Sequence, residues 1–239
     1  MTHGREGEDA VAFAFLQPIA VLVRELASLD VDAGAAGAGA EHFRSPVTLE
    51  RSLASGVFPL AITYVEAGLR WFEERAGRSG SNRRVVLVLR EYYRRPDLAD
   101  LLDELYVVRE TIVHSQVWHR AVAYTTKGEP RFTFGPFRPL DGIGDRRFRK
   151  MVDPETQATR LLDIPVVPER IRREHVWRFL GACVEILREV EITHLARYGD
   201  VDGDAHVVTD LPVQIGEQVM PFSRLVDGLV QEGRVPGWG

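Results

Sequence analysis

Apolar residues recur at helical spacing along most of this chain, and that period constrains its fold more than any other feature. Leu53, Val57, Leu60, Tyr64, Gly68 and Trp71 share one face of a helix opening near Thr48. Leu101, Leu105, Val108 and Ile112 line a second face, and Trp177, Leu180, Val184 and Leu187 a third, within a helix from about Glu169 to Arg197. Ahead of these, Phe15, Ile19, Leu22, Leu26 and Leu29 make an amphipathic helix with Pro18 near its start. A chain patterned this way is mainly α. Pro59 is expected to kink or split its helix, because it removes a backbone donor and crowds the preceding turn. A shorter helix from Arg83 to Arg95 ends at Pro96, and Asp97 is placed to cap the next one, with Asp100 adding negative charge to its first turn.

The period changes after Ala121. VAYTTKGEPRFTF alternates around Lys127, Gly128, Glu129 and Pro130, which predicts a β-hairpin. From Gly135 to Val167 the chain is rich in Gly, Pro and charge and reads mostly as loop. His206 to Ile215 reads as a strand able to join the hairpin, followed by a short amphipathic helix from Pro221 to Glu232. Asp32 to Ala40 reads as an Ala/Gly linker rather than a nucleotide-binding loop, since no strand precedes Gly34, Gly37 and Gly39. The resulting division is an N-terminal helix and linker over 1–40, a main helical domain over 41–198 with an insertion at about 121–168, and a C-terminal strand–helix appendage over 199–239.

The overall charge is −5, against a broad nucleic-acid surface, but its distribution is uneven. Residues 1–50 hold 3 basic and 8 acidic side chains and residues 195–239 hold 3 and 7, whereas 51–194 hold 24 and 20. A local phosphate-binding cleft in the middle of the chain is compatible with that pattern. The basic cluster Arg146, Arg147, Arg149 and Lys150 reads either as an exposed loop or as a contact with RNA phosphates. Cys183 is the one cysteine and reads as a small core residue. No run of about 18 apolar residues is present, and the apolar stretch Val11 to Val23 follows Glu6, Glu8 and Asp9 rather than basic residues. A cytoplasmic protein without a membrane span is therefore expected. Asp200, Asp202 and Asp204 lack the glycine position and the distal carboxylate of a calcium loop and read as an acidic turn. His114 and His119, five apart, do not share a helix face as a ligand pair would, so no metal or other cofactor is expected.

One polar step interrupts the second stripe. In VVRETIVHS, Glu110 and His114 are one helical turn apart, with Arg109 roughly 140° around from His114. In a chain with 28 arginines such a pair arises readily by chance, and Arg170 with His175 makes a second. That second pair sits in the charge run RIRREH and reads as a solvated helix start. The first lies at the edge of a helix that must be packed, where perturbed titration is expected. His119 and Arg120 just beyond read more simply as surface residues, with Arg120 a further candidate for contacting substrate.

With its preceding apolar helix and the following Trp118, this motif resembles the Arg-x4-6-His signature of the HEPN domain family, small helical domains found in many prokaryotic ribonuclease toxins and defence proteins. The resemblance covers roughly residues 47–195 outside the insertion. Where the family usually has Asn, Asp or His after the arginine, this chain has Glu110. The resemblance implies an antiparallel helical bundle and a metal-independent endoribonuclease site built from Arg109 and His114, with Glu110 a weaker third. Histidine suits proton transfer at neutral pH, and arginine keeps its charge while stabilising a phosphorane. Glu110 either holds the His114 ring or repels the RNA phosphate. One motif is half a site, and the resemblance implies that a C2 homodimer supplies the other half, with an antitoxin or regulatory protein as a further partner. The other reading of the same residues is an HEPN-like RNA- or protein-binding scaffold without catalysis.

Overall fold

A computed structural model describes residues 12–29, 46–77, 84–114, 118–124, 130–136, 145–199 and 208–233. The glycine-rich linker and the acidic turn at Asp200 to Asp204 lie outside these residues. The architecture is mainly helical, with three separate two-stranded antiparallel pairs among the described residues.

Two long helices form the centre, α2 (Pro46–Arg75) and α6 (Arg173–Tyr198), with α1 (Gln17–Ser28) ahead of them and α7 (Phe222–Glu232) behind. Phe58 meets Phe179 edge to face with centroids 4.6 Å apart, Gly68 lies against Leu187, and Phe72 meets His194 at 5.3 Å. Residue numbers rise together along both helices, so this central pair runs parallel. A parallel pair needs a long return, and residues 76–172 supply it. By contrast α1 and α7 run against the pair: Leu22 packs on Gly56, while the Arg173 guanidinium reaches the Leu29 carbonyl at 3.1 Å. Tyr64 meets Phe222, and Val230 packs on Gly181. Antiparallel packing therefore describes the outer helices, not the central two.

The apolar stripes read from the sequence are buried in part: Leu53, Leu60, Trp71, Leu101 and Ile112 are only partly covered at the edge of the core, as are Phe15, Leu22 and Leu29. Ile19, Leu26, Val57, Tyr64, Leu105, Val108, Trp177, Leu180, Val184 and Leu187 all lie in one continuous core, joined by Phe222, Leu225 and Leu229 of α7. All three segments separated in the sequence thus contribute to a common core. Cys183 is buried in it, where the absence of water pushes its thiol up. Gly68 permits the closest approach, since a Cβ there would stand 2.7 Å from a Leu187 methyl and 3.2 Å from Val208.

Of the two outcomes expected at Pro59, a kink or a split, the split does not occur: α2 runs as one helix through it. A mid-helix proline costs about 3 kcal/mol, and Val57, Phe58, Ala61 and Ile62 beside it are all buried against neighbouring elements. Packing outweighs local propensity there. By length and composition the stretch Val47–Arg75 would also cross a membrane, but half of its most apolar window is covered by the rest of the fold. It carries the buried carboxylates Glu50 and Glu73 as well. Glu50 accepts the backbone N–H of Arg173 at 2.9 Å, satisfying an end donor of α6 where negative charge is favoured.

The return segment opens with α3 (Val85–Leu87), which widens into a looser turn over Val88–Tyr92, shorter than the helix expected to Arg95. Arg94 takes a left-handed backbone, φ 57°, and breaks it. Next comes α4 (Pro96–His114), then the hairpin of β1 (Trp118–Tyr124) and β2 (Pro130–Pro136), paired in the register Ala121 to Thr133. The stretch expected to be mostly loop contains α5 (Asp145–Met151) and the short pair β3 (Val152–Asp153) and β4 (Ala158–Thr159). Its hidden signal is apolar: Met151, Val152, Val166 and Val167 close a small second core with Val107 of α4, and Phe148 packs on it. The C-terminal strand β5 (Pro212–Ile215) does not join the hairpin. It pairs with β6 (Gln218–Pro221) across a turn in which Gly216 has φ 60°. Its other edge receives Gln17 of α1, whose side-chain amide exchanges two 2.9 Å hydrogen bonds with the Gln214 backbone.

Candidate functional site

The helix α4 starts at Pro96, whose missing N–H and fixed φ suit a first helical position. Asp97 is thus inside the first turn and not its cap. It is paired instead with Arg95, Oδ2 to Nη2 2.7 Å, and the guanidinium holds its carboxyl below the usual range. Arg95 also reaches Glu189 of α6 at 2.7 Å. Farther along, Glu104 is buried and accepts the backbone N–H groups of Leu161 and Leu162 at 2.8 and 3.1 Å. Burial pushes its carboxyl up, and those amides oppose the shift. Arg178 of α6 donates to the carbonyls of Leu162 and Asp163, so α4 and α6 grip the same turn.

One face of α4 faces the core through Leu98, Leu102, Leu105 and Val108. A second carries Asp100, Asp103, Val107 and Glu110 at three-four-three spacing and receives α5. Arg147 donates from Nη2 to Glu110 Oε1 at 2.5 Å, and its Nη1 lies 3.8 Å from Asp103. Its guanidinium also stands over the Tyr106 ring at 5.7 Å. Lys150 reaches Asp100 at 2.9 Å, and Arg90 approaches Asp100 and Asp103 at 2.5 and 3.6 Å. Burial raises Asp103, while Arg147, Arg90 and Lys150 pull it back. Tyr106 donates its hydroxyl to Glu66 of α2, and burial together with that bond raises the phenol.

Arg109 sits half-buried on the flank, close enough to Tyr106 for its charge to oppose the rise in that phenol. Among the described residues it has no ion-pair partner, whereas Asp103 and Glu110 on either side are both paired. The helix reaches His114 as its last residue, which preserves the one-turn backbone spacing from Glu110. The side chains of His114, Arg120 and Arg146 fall outside the described set. Arg120 is opposite Phe134 in the β1–β2 register.

Glu110, read from sequence as either holding the His114 ring or repelling the RNA phosphate, accepts a hydrogen bond from Arg147. The basic cluster lies on a helix rather than in a loop, and two of its members neutralise the acidic face of α4: Arg147, on Glu110 and Asp103, and Lys150, on Asp100. Arg149 is exposed. The second Arg–His pair does open a helix, but the imidazole is half-buried. His175 accepts the Arg172 N–H at Nδ1, 2.9 Å, at the start of α6, while Arg170 reaches the Thr156 carbonyl at 3.4 Å. Burial holds the His175 ring below its ordinary value. Among the described residues no cluster of three or more His, Cys, Asp or Glu is arranged to hold a metal ion.

Sequence reasoning passed over Asp103, Tyr106, Glu66 and Glu104, and read Asp100 only as a charge near the helix start. A signal for the two aspartates was present: Asp100 and Asp103 share a helical face with Glu110, and a basic run follows within the same domain. Nothing local announced Glu66 or Glu104. No family model, curated protein or solved structure matches this chain.

Proposed function

We propose that this protein is a metal-independent endoribonuclease of HEPN type, working as a C2 homodimer in which Arg109 and His114 of both copies line one RNA-binding cleft. The observation that carries the reading is Arg109: a half-buried arginine with no ion pair among the described residues, flanking a face whose carboxylates Asp103 and Glu110 are already paired. A cation kept in reserve on the helix that also carries His114 suits the charge of a phosphorane and the proton transfers of transesterification. In this reading the ribose 2′-hydroxyl attacks the adjacent phosphate as its proton passes to one His114 imidazole, the P–O5′ bond breaks, and the departing 5′-oxygen takes a proton from the His114 imidazolium of the other copy, leaving a 2′,3′-cyclic phosphate. A cytoplasmic toxin or phage-defence effector restrained by an antitoxin or regulator is the setting that goes with it.

One observation favours the non-catalytic scaffold: Arg147 and Lys150 are occupied by carboxylates of their own chain, which reduces the cationic surface open to RNA. Cleavage of a structured RNA in excess EDTA decides between the two. His114→Ala and Arg109→Ala are each expected to reduce the rate by about 10²–10⁴-fold, with the parent leaving cyclic-phosphate or 3′-phosphate ends. Equal cleavage by parent and variants overturns the site assignment. Folded dimers that bind RNA without cutting it put the scaffold reading in its place.

A further inference from the structure

We infer that Arg147 is a positioning residue whose work is to cancel the Glu110 charge beside a bound polyanion, so that Arg109 and His114 meet phosphate without a neighbouring carboxylate repelling it. The inference rests on the proposed RNA-directed function of the Arg109–His114 helix.

Glu110 follows Arg109 directly and precedes His114 by one turn, so a phosphate held by the motif lies within roughly 10 Å, about two helical turns, of its carboxylate. At such a distance, with effective dielectric constants typical of protein surfaces, an uncancelled negative charge weakens anion binding substantially. The chain answers this with a residue 37 positions away. Arg147 bonds Glu110 at 2.5 Å, faces Asp103 at 3.8 Å and lies over Tyr106. Its orientation is over-determined. The helix that carries it is held by Lys150 on Asp100 and by the small apolar core around Val107. A phosphate-gripping arginine needs a fork directed at the ligand. Here the fork is turned onto the protein's own carboxylates, which argues for a counter-charge rather than a direct contact.

The two roles separate in a cycle of variants. Binding of a short labelled single-stranded RNA is followed by fluorescence anisotropy in EDTA, beside cleavage, for the parent, Arg147→Ala, Arg147→Lys, Glu110→Gln and the double variant Arg147→Ala/Glu110→Gln. Circular dichroism melts establish that each is folded. For a counter-charge, Arg147→Ala weakens binding by about tenfold at low salt, Arg147→Lys retains most of the affinity, and the double variant recovers most of the loss. Salt near 1 M, where the Debye length is about 3 Å, removes the difference. Loss in Arg147→Ala without recovery in the double variant makes Arg147 a direct phosphate contact and overturns the inference. Unchanged affinity in Arg147→Ala overturns it while leaving the function standing. A parent that binds but does not cut removes only the catalytic reading, and the binding cycle still decides Arg147. A parent that neither binds nor cuts overturns both together.

Discussion

Between α2 and α6 the partners are Phe58 on Phe179, Gly68 under Leu187 and Phe72 beside His194; between α4 and α5 they are Arg147 with Glu110 and Lys150 with Asp100. The first contact is dry and its parts interlock. The second is half-exposed: its four charged side chains keep between 29% and 58% of their surface in water. Removing apolar area from water is the large favourable quantity in folding, while an exposed ion pair exchanges hydration for a similar attraction and gains little. The central pair therefore supplies stability. The α4–α5 contact contributes orientation, placing one particular guanidinium on one particular carboxylate with little net effect on folding, and salt can loosen it.

Damage to the central pair is expected to have the largest effect. Phe58→Ala leaves a cavity facing Phe179 and is expected to cost about 3–5 kcal/mol, seen as a lower urea midpoint; a loss under about 1 kcal/mol would mean that the α2–α6 contact is not the main source of stability.

A second test concerns a charge on the dry side. Burial, reinforced by Asp210 and opposed by Arg188, pushes the Glu191 carboxyl up to about 7. An unfolded glutamate ionises near pH 4.3, so between about pH 4.5 and 7 the folded protein keeps a proton that the unfolded chain has released. Stability of the parent is therefore expected to fall as pH rises through that window. Glu191→Gln removes the dependence: it matches the parent below about pH 4 and exceeds it by about 1–2 kcal/mol above pH 7, allowing for partial screening. Parallel stability curves for the two proteins from acid to neutral pH would show that Glu191 titrates as it does in water.

The smallest effect belongs to the ionic contact. Lys150→Ala is expected to change stability by less than about 1 kcal/mol, vanishing near 1 M salt. A salt-independent loss of several kcal/mol in denaturant titrations would place α5 with the core and erase the contrast.

The stripes of the long helices were legible because a helix that buries one face must repeat apolar residues at its own period, and Trp177, Leu180, Val184 and Leu187 do so without interruption. The hairpin was legible from alternation about a turn. The candidate site was legible in part: Arg109, Glu110 and His114 lie within a single local pattern, but Glu110's partner is 37 residues away on a short helix hidden in a charge-rich segment. Which of the two outcomes holds at Pro59, a continuous helix or a split one, was not legible, since the local penalty is visible in sequence and the packing that outweighs it is not.

By itself, then, the sequence determined which faces of which helices must leave water, because that demand is met or failed residue by residue. Tertiary structure alone decided that α2 and α6 run parallel, that β5 turns back on β6 instead of joining the hairpin, and that Arg147 rests on Glu110. Each of these is a choice between distant partners of similar local chemistry, and such choices are settled by which surfaces the whole fold brings within a few ångströms of one another.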